Sequence, residues 1–231
     1  MTDIIQESQK GGMNSILSND QKNIFNKHGY IIIDNFLPPD LYKELKLELK
    51  AQSSNSTYQI RTEHYSHVFS SKKDTLPKSD ESYIAKFSLI ETNGLENLKK
   101  AFLNHIAPIL KEVSNNKAKH SLFPAAVRLR TGDVYRTHQD AYAGIVGFSF
   151  FINDGWCWDY GGILTYVREE YKAEAIFPKS NRLLLRNETF KHFHFLNSIE
   201  QYCTKEQFLL LGWADSSLKE DHKSLGKYQE I

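Results

Sequence analysis

Tyr135-Arg-Thr-His138-Gln-Asp140 is the stretch from which the architecture of this 231-residue chain can be worked out. Side chains alternate across a β-strand, so residues two apart lie on the same face. If the stretch is a strand, His138 and Asp140 present an imidazole and a carboxylate side by side. Both groups are good ligands for a divalent transition metal. The stretch therefore predicts part of a metal site at the end of a strand.

A further ligand must come from another part of the chain. The segment His192-Phe-His194-Phe-Leu196 carries two histidines that also alternate onto one face of a strand. Either one would complete a set of two imidazoles and one carboxylate, which leaves about three coordination positions open. Structural zinc sites instead use four closed ligands that often include cysteine. The pattern favours an open, catalytic metal site of the non-haem iron type.

Short β-branched and aromatic runs surround the two histidine segments at roughly ten-residue spacing. Such even spacing is typical of a sandwich or jelly roll. About five strand-and-turn units separate His138 from His194, and a double-sheet barrel can bring such strand ends together. The sequence predicts a mainly β fold with flanking α-helices. The predicted strands cover 122–130, 133–137, 144–152, 162–167, 182–186, 192–196 and 208–213.

The N-terminal half predicts helices packed beside this barrel. Ser18 and Gly29 have the residue types of a helix start and a helix end, and Pro38-Pro39 is placed to open a second helix. We expect a flexible N-terminus over 1–17 and a single domain over 18–231, with helical support in 18–116 and the barrel core in about 120–215. The expected elements before the barrel are helices at 18–29, about 38–51 and 95–116, and a strand at 30–36.

The segment 51–82 is rich in Ser, Thr, Asn and Lys and carries only weak strand signals, at Tyr58–Ile60 and Val68-Phe69. Long polar segments of this kind are often lids or substrate loops. The alternative is a variable surface insertion, and the sequence leaves both interpretations open.

Composition gives no argument for a nucleic-acid or membrane partner. Lys and Arg total 29 against 28 Asp and Glu, which gives a formal charge of +1 and no strong field for nucleic acid or an anionic membrane. Cys157 and Cys203 are too few for a disulfide framework. The first residues lack the features of a signal peptide, and no run of about 18 apolar residues occurs. We expect a cytoplasmic protein without a membrane span.

Further motifs follow the first stretch in a fixed order. They are the turn before His138, Asn153-Asp-Gly-Trp156 followed by Gly161-Gly162, then His194 with an apolar strand, and finally Leu211-Gly-Trp213. Over about 120–215 this ordered set resembles the Fe(II)- and 2-oxoglutarate-dependent oxygenases, and among them the prolyl-hydroxylase-like group. The run 29–37 is similar to the family's N-terminal lead-in. The resemblance implies a double-stranded β-helix, which is a cupin-like jelly-roll barrel.

The resemblance also implies a ligand set and an activity. His194, followed by Phe-Leu-Asn-Ser-Ile199, is similar to the family's distal histidine, so Fe(II) would be bound by His138, Asp140 and His194, which would also be the catalytic residues. His192 would then be a hydrogen-bonded neighbour. With 2-oxoglutarate and O2 as cosubstrates, the chain would be a dioxygenase that hydroxylates an unactivated C–H and releases succinate and CO2. The carboxylate of Asp140 favours hydroxylation over halogenation.

The cosubstrate residues follow the family pattern only in part. Tyr135 matches a tyrosine that similar enzymes use to hydrogen-bond the far carboxylate of 2-oxoglutarate. The family's usual Arg or Lys six residues before the tryptophan is replaced by Gln207. Lys205 could supply the charge as a point cation. Arg182 or Arg186 on a neighbouring strand are the alternatives.

The residues near the predicted mouth of the barrel bear on the substrate class. Aromatic and charged side chains predicted near the mouth, among them Arg128, Trp156 and Asp159, would suit a small amino-acid-like molecule or a peptidyl side chain. Two other classes stay open on the sequence. One is a jelly-roll binding protein without turnover, and the other is a cupin-like metalloenzyme that does not use 2-oxoglutarate.

Overall fold

The computed structural model describes residues 15–61, 85–138, 144–168, 172–190, 192–216 and 228–231. Thirteen strands within these ranges form one continuous hydrogen-bonded sheet. The strands are β1 Tyr30–Asp34, β2 Ser56–Arg61, β3 Ala85–Ile90, β4 His120–Leu122, β5 Ala125–Leu129, β6 Val134–His138, β7 Val146–Phe151, β8 Leu164–Arg168, β9 Ala173–Ile176, β10 Arg182–Asn187, β11 His192–Leu196, β12 Gln207–Asp215 and β13 Tyr228–Glu230. The helices are α1 Asn19–His28, α2 Pro39–Gln52, α3 Glu96–Ala101 and α4 Ala107–Val113.

Helix α1 begins and ends where its residue types predict. The Ser18 side chain accepts a hydrogen bond from the Gln21 amide, and the Gln21 side chain accepts one from the Ser18 amide, which forms a capping box. At the other end Gly29 adopts a left-handed φ of 79° and its amide bonds the Phe25 carbonyl. The predicted helix at 18–29 is confirmed.

The predicted helix at 95–116 is present but is not a regular α-helix throughout. A π-helical turn, Phe102–Ile106, joins α3 to α4. Pro108 follows in the first turn of α4 and has no amide proton to continue the α-helical ladder, which accounts for a local change of hydrogen bonding here. No helix in the described part of the chain is long and apolar enough to cross a membrane.

The sheet has the topology of a double-stranded β-helix. Its strand order is β1-β10-β7-β12-β5-β3-β6-β11-β8-β9, with every strand pair along this path antiparallel. The eight strands from β5 to β12 therefore divide between two halves that face each other. One half contains β5, β7, β10 and β12, and the other contains β6, β8, β9 and β11. The predicted jelly-roll fold is confirmed.

The sheet extends beyond the predicted barrel region of 120–215. Strand β1 pairs with β10, and β3 connects the halves by pairing with both β5 and β6. The segment 18–116 thus contributes strands as well as helices, and the sequence analysis missed β3. The weak strand signal at Tyr58–Ile60 is confirmed by β2, so this part of the polar segment is not a loop, whereas Val68-Phe69 lies outside the described residues. The single strand predicted at 122–130 is divided because Pro124 cannot donate to a ladder.

Residues 15–17 pack against the rest of the chain. The Glu112 carboxylate accepts hydrogen bonds from the amides of Ile16 and Leu17, at 2.8 and 3.3 Å, and Leu17 is buried. Most of the predicted flexible segment 1–17 lies outside the described residues. The single domain over 18–231 stays a prediction.

Two cores lie on opposite faces of the half that contains β5, β7, β10 and β12. The first, called the helix-side core, packs the helices against the outer face and includes Leu45, Phe102, Phe148, Phe150, Leu183, Leu185 and Leu210. The second, called the barrel core, lies between the two halves and includes Leu129, Phe151, Tyr166, Leu184, Leu196 and Leu209. Because strand residues alternate between faces, the same three strands, β7, β10 and β12, supply both cores.

Candidate metal and ligand site

The two best candidate metal ligands are cross-strand neighbours. His138 on β6 lies directly opposite His194 on β11, and their ring centroids are 4.3 Å apart with an angle of 57° between the planes. Cross-strand pairs are the closest side-chain neighbours in a sheet. The pairing of β6 with β11 therefore brings together two imidazoles that the sequence predicted to share a metal.

A backbone hydrogen bond orients His138. Its Nδ1 lies 2.7 Å from the Arg136 carbonyl oxygen. A carbonyl only accepts, so Nδ1 carries the proton and the ring's lone pair is on Nε2. Metal-bound histidines commonly use this arrangement, in which one nitrogen donates to the protein and the other binds the ion.

An irregularity in β6 brings Tyr135 onto the same face as His138. Tyr135 lies opposite Leu196, while His138 lies opposite His194, so three residue steps along β6 match two along β11. In a regular strand, residues three apart would face opposite sides, and a bulge removes that conflict. The Tyr135 ring stacks on Phe87 of the barrel core at 4.9 Å and lies 6.0 Å from the His138 ring. The structure thus places Tyr135 beside the histidine pair.

His192 is engaged by the protein in a different way from His194. Its Nδ1 lies 3.0 Å from the Phe190 carbonyl oxygen, and its Nε2 lies 3.3 Å from Glu188 Oε2. The ring packs on Tyr166 with centroids 4.5 Å apart. Both ring nitrogens therefore face protein oxygens, whereas His194 is the histidine of β11 that lies opposite a described histidine of β6. These contacts support His194 as the ligand and His192 as a neighbour.

Asp140 lies outside the described residues, so its place in the ligand set stays a prediction. The described ranges contain no group of three or more His, Cys, Asp or Glu side chains that could hold a metal ion. Two imidazoles on one inner wall fit a divalent metal in residue type and proximity.

A buried ion pair lies in the wall of the barrel core. Arg186 Nε bonds Glu188 Oε1 at 3.0 Å, and Arg186 Nη1 bonds Ser149 Oγ at 2.9 Å. The neighbouring Gly147 leaves the space for this pair, because a Cβ there would lie 2.0 Å from Glu188 Oε1 and 2.8 Å from Arg186 Nη2. Arg186 was predicted from the sequence as a possible source of the charge, whereas Glu188 and Ser149 were not. The sequence feature that could have indicated this ion pair is two opposite charges two residues apart, directly after the apolar run Leu183-Leu-Leu.

The ion pair lies at the same level of the barrel as the histidine pair. Arg186 pairs with Tyr30 across β1, and the Tyr30 ring meets Tyr166 edge to face at 5.0 Å. Tyr166 in turn lies directly opposite His194. The Glu188 carboxylate lies in the same region, because its Oε2 is 3.3 Å from Nε2 of His192. These polar side chains cross the barrel wall at the level of the candidate metal site. They are called the polar band and consist of Tyr30, Arg186, Glu188 and His192.

Gln207 lies on the inner face of β12 and carries no charge. It is fully buried, and its Nε2 donates to the Gly162 carbonyl at 3.0 Å. Its neighbour across the ladder is Leu129 of the barrel core. The position that the resemblance assigns to a cation therefore supplies no charge for the far carboxylate of 2-oxoglutarate.

The other residues considered for that charge lie elsewhere. The Lys205 ammonium bonds the Gly155 carbonyl and lies 5.7 Å from the centre of the Tyr160 ring, in the loops at the end of the barrel away from His192. Arg182 bonds Asp34 at 2.6 Å and the Phe177 carbonyl at 2.9 Å. Of the predicted cations, Arg186 is the one buried in the barrel wall.

The structure does not bring the predicted substrate residues to the histidine pair. Arg128 faces the helix side of the sheet beside Phe208 and bonds Ser56 Oγ at 2.6 Å. The buried Trp156 ring donates to the Gly161 carbonyl at 2.9 Å, and Asp159 lies in the same loop. This loop joins the end of β7 to the start of β8, whereas His192 pairs with the last residue of β8. A substrate role for these three residues stays a prediction.

Trp213 is an inner-face residue that the sequence analysis used only as a motif. It pairs with Gly147, the neighbour of Arg186, so it lies at the level of the polar band. Its indole Nε1 is buried and finds no hydrogen-bond acceptor within the described ranges. An indole nitrogen only donates, so Trp213 is available to a ligand oxygen in this part of the barrel.

The turn that leads into β6 is held by a buried carboxyl. Asp133 accepts a hydrogen bond from the Arg130 amide at 2.9 Å, and Gly132 takes a left-handed φ of 80°. Burial raises the pKa of the Asp133 carboxyl, although the Arg130 amide opposes this shift. The Gly-Asp motif before the first histidine is therefore structural, and it fixes where β6 begins.

Solved structures with this fold include several oxygenases. A prolyl-4-hydroxylase from Pseudomonas putida superposes with a TM-score of 0.64 at 15% identity, over 86% of this chain and 98% of that one. A Trichoplax adhaerens prolyl hydroxylase, solved with a hypoxia-inducible-factor peptide fragment, gives 0.63 at 17% identity, over 90% and 92%. SnoN, a non-heme alpha-ketoglutarate-dependent epimerase from nogalamycin biosynthesis, gives 0.59 at 9%, over 84% and 80%.

The sequence matches no protein-family model and no curated protein. At these identities the structural likeness shows the fold. The fold is the one found in prolyl hydroxylases and other 2-oxoglutarate- and iron-dependent oxygenases. The sequence resemblance and the structural comparison therefore agree on the architecture.

Proposed function

We propose that this protein is an Fe(II)-dependent dioxygenase that uses a 2-oxo acid cosubstrate, 2-oxoglutarate in the usual case, to hydroxylate an unactivated C–H. The observation that carries the proposal is the pairing of His138 with His194 on the inner wall of an oxygenase barrel. Asp140 would complete the ligand set. Two neutral imidazoles and one carboxylate leave the iron with a net charge of about +1 and positions for exchangeable ligands.

Bound iron would supply O2 activation, with the 2-oxo acid as the source of two electrons as it loses CO2, which gives succinate when the acid is 2-oxoglutarate. The chain's own contribution is a dry and oriented site. The His138 Nε2 lone pair is directed by the backbone bond to Arg136. Phe87, Tyr135 and Leu196 supply an apolar and aromatic wall beside it, which limits side reactions with water.

The proposed substrate is a small amino-acid-like molecule or a peptidyl side chain. The near-neutral charge of the chain supports this class over nucleic acid. One protein with the same fold is a prolyl hydroxylase with a bound peptide, and another is an epimerase. The fold therefore accommodates more than one substrate class, and function depends on the site itself.

A metalloenzyme that does not use 2-oxoglutarate is the second candidate. The neutral Gln207 favours it, because the cation expected for the far carboxylate is absent from that position. The buried Arg186 already has Glu188 as its counter-ion, so it does not simply replace the missing cation.

Anaerobic titration of Fe(II)-loaded protein with 2-oxoglutarate tests the proposal. Bidentate chelation of the iron produces a weak visible charge-transfer band. We expect a saturable band in the wild type, no band in His138→Ala or His194→Ala, and an unchanged band in the control His28→Ala, which alters a histidine at the end of α1. Succinate release can then be screened with amino acids and peptides. A wild type that binds iron but shows no band with any 2-oxo acid would favour the second candidate.

A further inference from the structure

The side-chain amide of Gln207 presents an unused acceptor to the barrel core. The Gly162 carbonyl can only accept, so the Gln207 atom 3.0 Å from it must be the amide nitrogen. The other amide atom is therefore the carbonyl oxygen Oε1. This oxygen is buried and has no hydrogen-bond donor anywhere in the described ranges. Gln207 itself is 0% exposed.

The surroundings of Oε1 are shaped to keep this amide in place. A Cβ on Gly162 would lie 2.7 Å from Oε1 and 2.6 Å from the Ile199 side chain, and Gly162 has a left-handed φ of +65°. The residue at 162 must therefore be glycine for the Gln207 amide to fit. A buried acceptor without a partner costs about 1–3 kcal/mol. An apolar side chain at 207 would avoid this cost among neighbours such as Leu129 and Leu209.

The unused atom selects the chemistry of a ligand. A carbonyl oxygen in an apolar core attracts an N–H or O–H group and repels a carboxylate, because two oxygens without a proton between them cannot form a hydrogen bond. An Arg or Lys at this position would have the opposite preference. Gln207 therefore offers this end of the barrel a neutral amide with an unused acceptor in place of a cation.

The position of Gln207 relative to the histidine pair suits one end of a short, extended ligand. Gly162, which the Gln207 amide contacts, is four residues before Tyr166, and Tyr166 lies opposite His194. Gly162 and Ile163 precede β8, so the four residue steps span at most roughly 13 Å between backbone positions. Side chains project into this interval from both ends, so a ligand that contacts both Gln207 and the histidine pair must be short.

We infer that the barrel takes a 2-oxo acid whose far end is a neutral hydrogen-bond donor, a primary amide or a hydroxyl, in preference to the far carboxylate of 2-oxoglutarate. The inference rests on the proposed function, because it assumes that the 2-oxo acid end is bound at His138 and His194. It adds the identity of the opposite end, for which Gln207 Oε1 is the acceptor.

Two inert probes that differ only at the far end provide the test. N-oxalylglycine carries a carboxylate there, and N-oxalylglycinamide carries a primary amide, while the chelating ends are the same. Each is titrated into Co(II)-loaded full-length protein, and the visible Co(II) absorption reports binding. We expect the wild type to bind the amide at least ~10-fold more tightly, which corresponds to one matched against one mismatched buried hydrogen bond.

Two variants sharpen the result. Gln207→Arg should reverse the preference, because its guanidinium pairs with the carboxylate probe. Gln207→Met keeps the length of the side chain and removes the acceptor, so it should bind the two probes within about threefold of each other, since the matched hydrogen bond is lost. Thermal unfolding checks that each variant is folded, and if Gln207→Met does not fold, the wild type and Gln207→Arg still decide the question.

The outcomes separate this inference from the proposed function. Equal affinity of the wild type for both probes would show that Gln207 only braces Gly162, and a preference for the carboxylate probe would also overturn the inference. Either result leaves an oxo-acid site in place. Failure of Co(II) binding in the wild type, or binding of Co(II) with no response to either probe, would instead overturn the proposed function, and the inference would fall with it.

Discussion

The two faces of β7, β10 and β12 bury side chains equally well but with opposite chemistry. On the helix side, Phe148, Phe150, Leu183, Leu185 and Leu210 form a core of apolar residues. On the barrel side the same strands present Ser149, Arg186 and Gln207 between apolar neighbours. Residues one position apart in the sequence thus face a hydrocarbon environment and a polar one.

This difference indicates what each face is for. Apolar burial contributes most of the stability of a domain, whereas buried ion pairs are often no better than apolar replacements. The helix-side core packs the helices onto the sheet with apolar side chains. The polar groups of the barrel side therefore point to ligand binding, and their positions near His138 and His194 agree with that interpretation.

Truncation of the helix-side core should have the largest effect on stability. Phe150→Ala removes a fully buried ring that meets Phe36 and Tyr42 edge to face, and we expect the free energy of unfolding to fall by about 3–5 kcal/mol. Urea unfolding of the wild type and the variant measures this fall in the free energy of unfolding. Metal affinity of the folded fraction should not change. A loss below about 1 kcal/mol would contradict the role assigned to this face.

The buried ion pair should behave differently from the apolar core. Arg186→Met leaves the Glu188 carboxylate buried without its guanidinium, and we expect a loss of about 3 kcal/mol in the free energy of unfolding. The double variant Arg186→Met/Glu188→Met should recover most of this loss, because neither charge is then buried. Urea unfolding of the two variants gives the comparison. No recovery in the double variant would mean that the pair stabilises the fold in its own right.

Tyr135 should matter to the ligand more than to the fold. Tyr135→Phe keeps the stacking on Phe87 and removes the hydroxyl. We expect 2-oxo acid affinity to fall by about fivefold, the value of one hydrogen bond, with thermal unfolding nearly unchanged. A calorimetric titration of the metal-loaded variant measures the affinity. Unchanged affinity would remove Tyr135 from the ligand site.

The smallest expected effect is a pH-dependent one at the edge of the barrel. The hydrogen bond from Arg182, with a further contribution from Lys179, lowers the pKa of Asp34 to about 2. A lowered pKa adds stability above the ordinary carboxyl pKa of 3.8, and this stability is lost as the pH falls from about 4 through 2. Because the pair is partly exposed, Asp34→Asn should cost less than about 1 kcal/mol at pH 6. The difference between wild type and variant should disappear near pH 2 in urea unfolding.

Local signals were sufficient for much of the fold and for the identity of the histidine pair. Ser18 and Gly29 determine α1 through backbone bonds to near neighbours, and β11 matches the prediction because its residues alternate strictly. The choice of His194 over His192 came from the resemblance, and the register of β11 against β6 supports it.

Features that depend on distant contacts could not be predicted from the sequence. The bulge that brings Tyr135 beside His138 arises between two strands, and strand alternation alone assigns those residues to opposite faces. Strand β3 was missed because its pairing partners, β5 and β6, lie far along the chain. The face on which Arg128 lies depends on its pairing with Phe208, and the burial of Glu188 depends on the space at Gly147.

The most direct test of the account compares metal binding by three single-histidine variants. Fe(II) affinity and stoichiometry are measured anaerobically for His138→Ala, His194→Ala and His192→Ala beside the wild type. We predict one iron per chain in the wild type and in His192→Ala, and a loss of at least ~100-fold in affinity in the other two variants, as expected for removal of a direct ligand. Retained affinity in His194→Ala together with lost affinity in His192→Ala would contradict the assignment of the metal site.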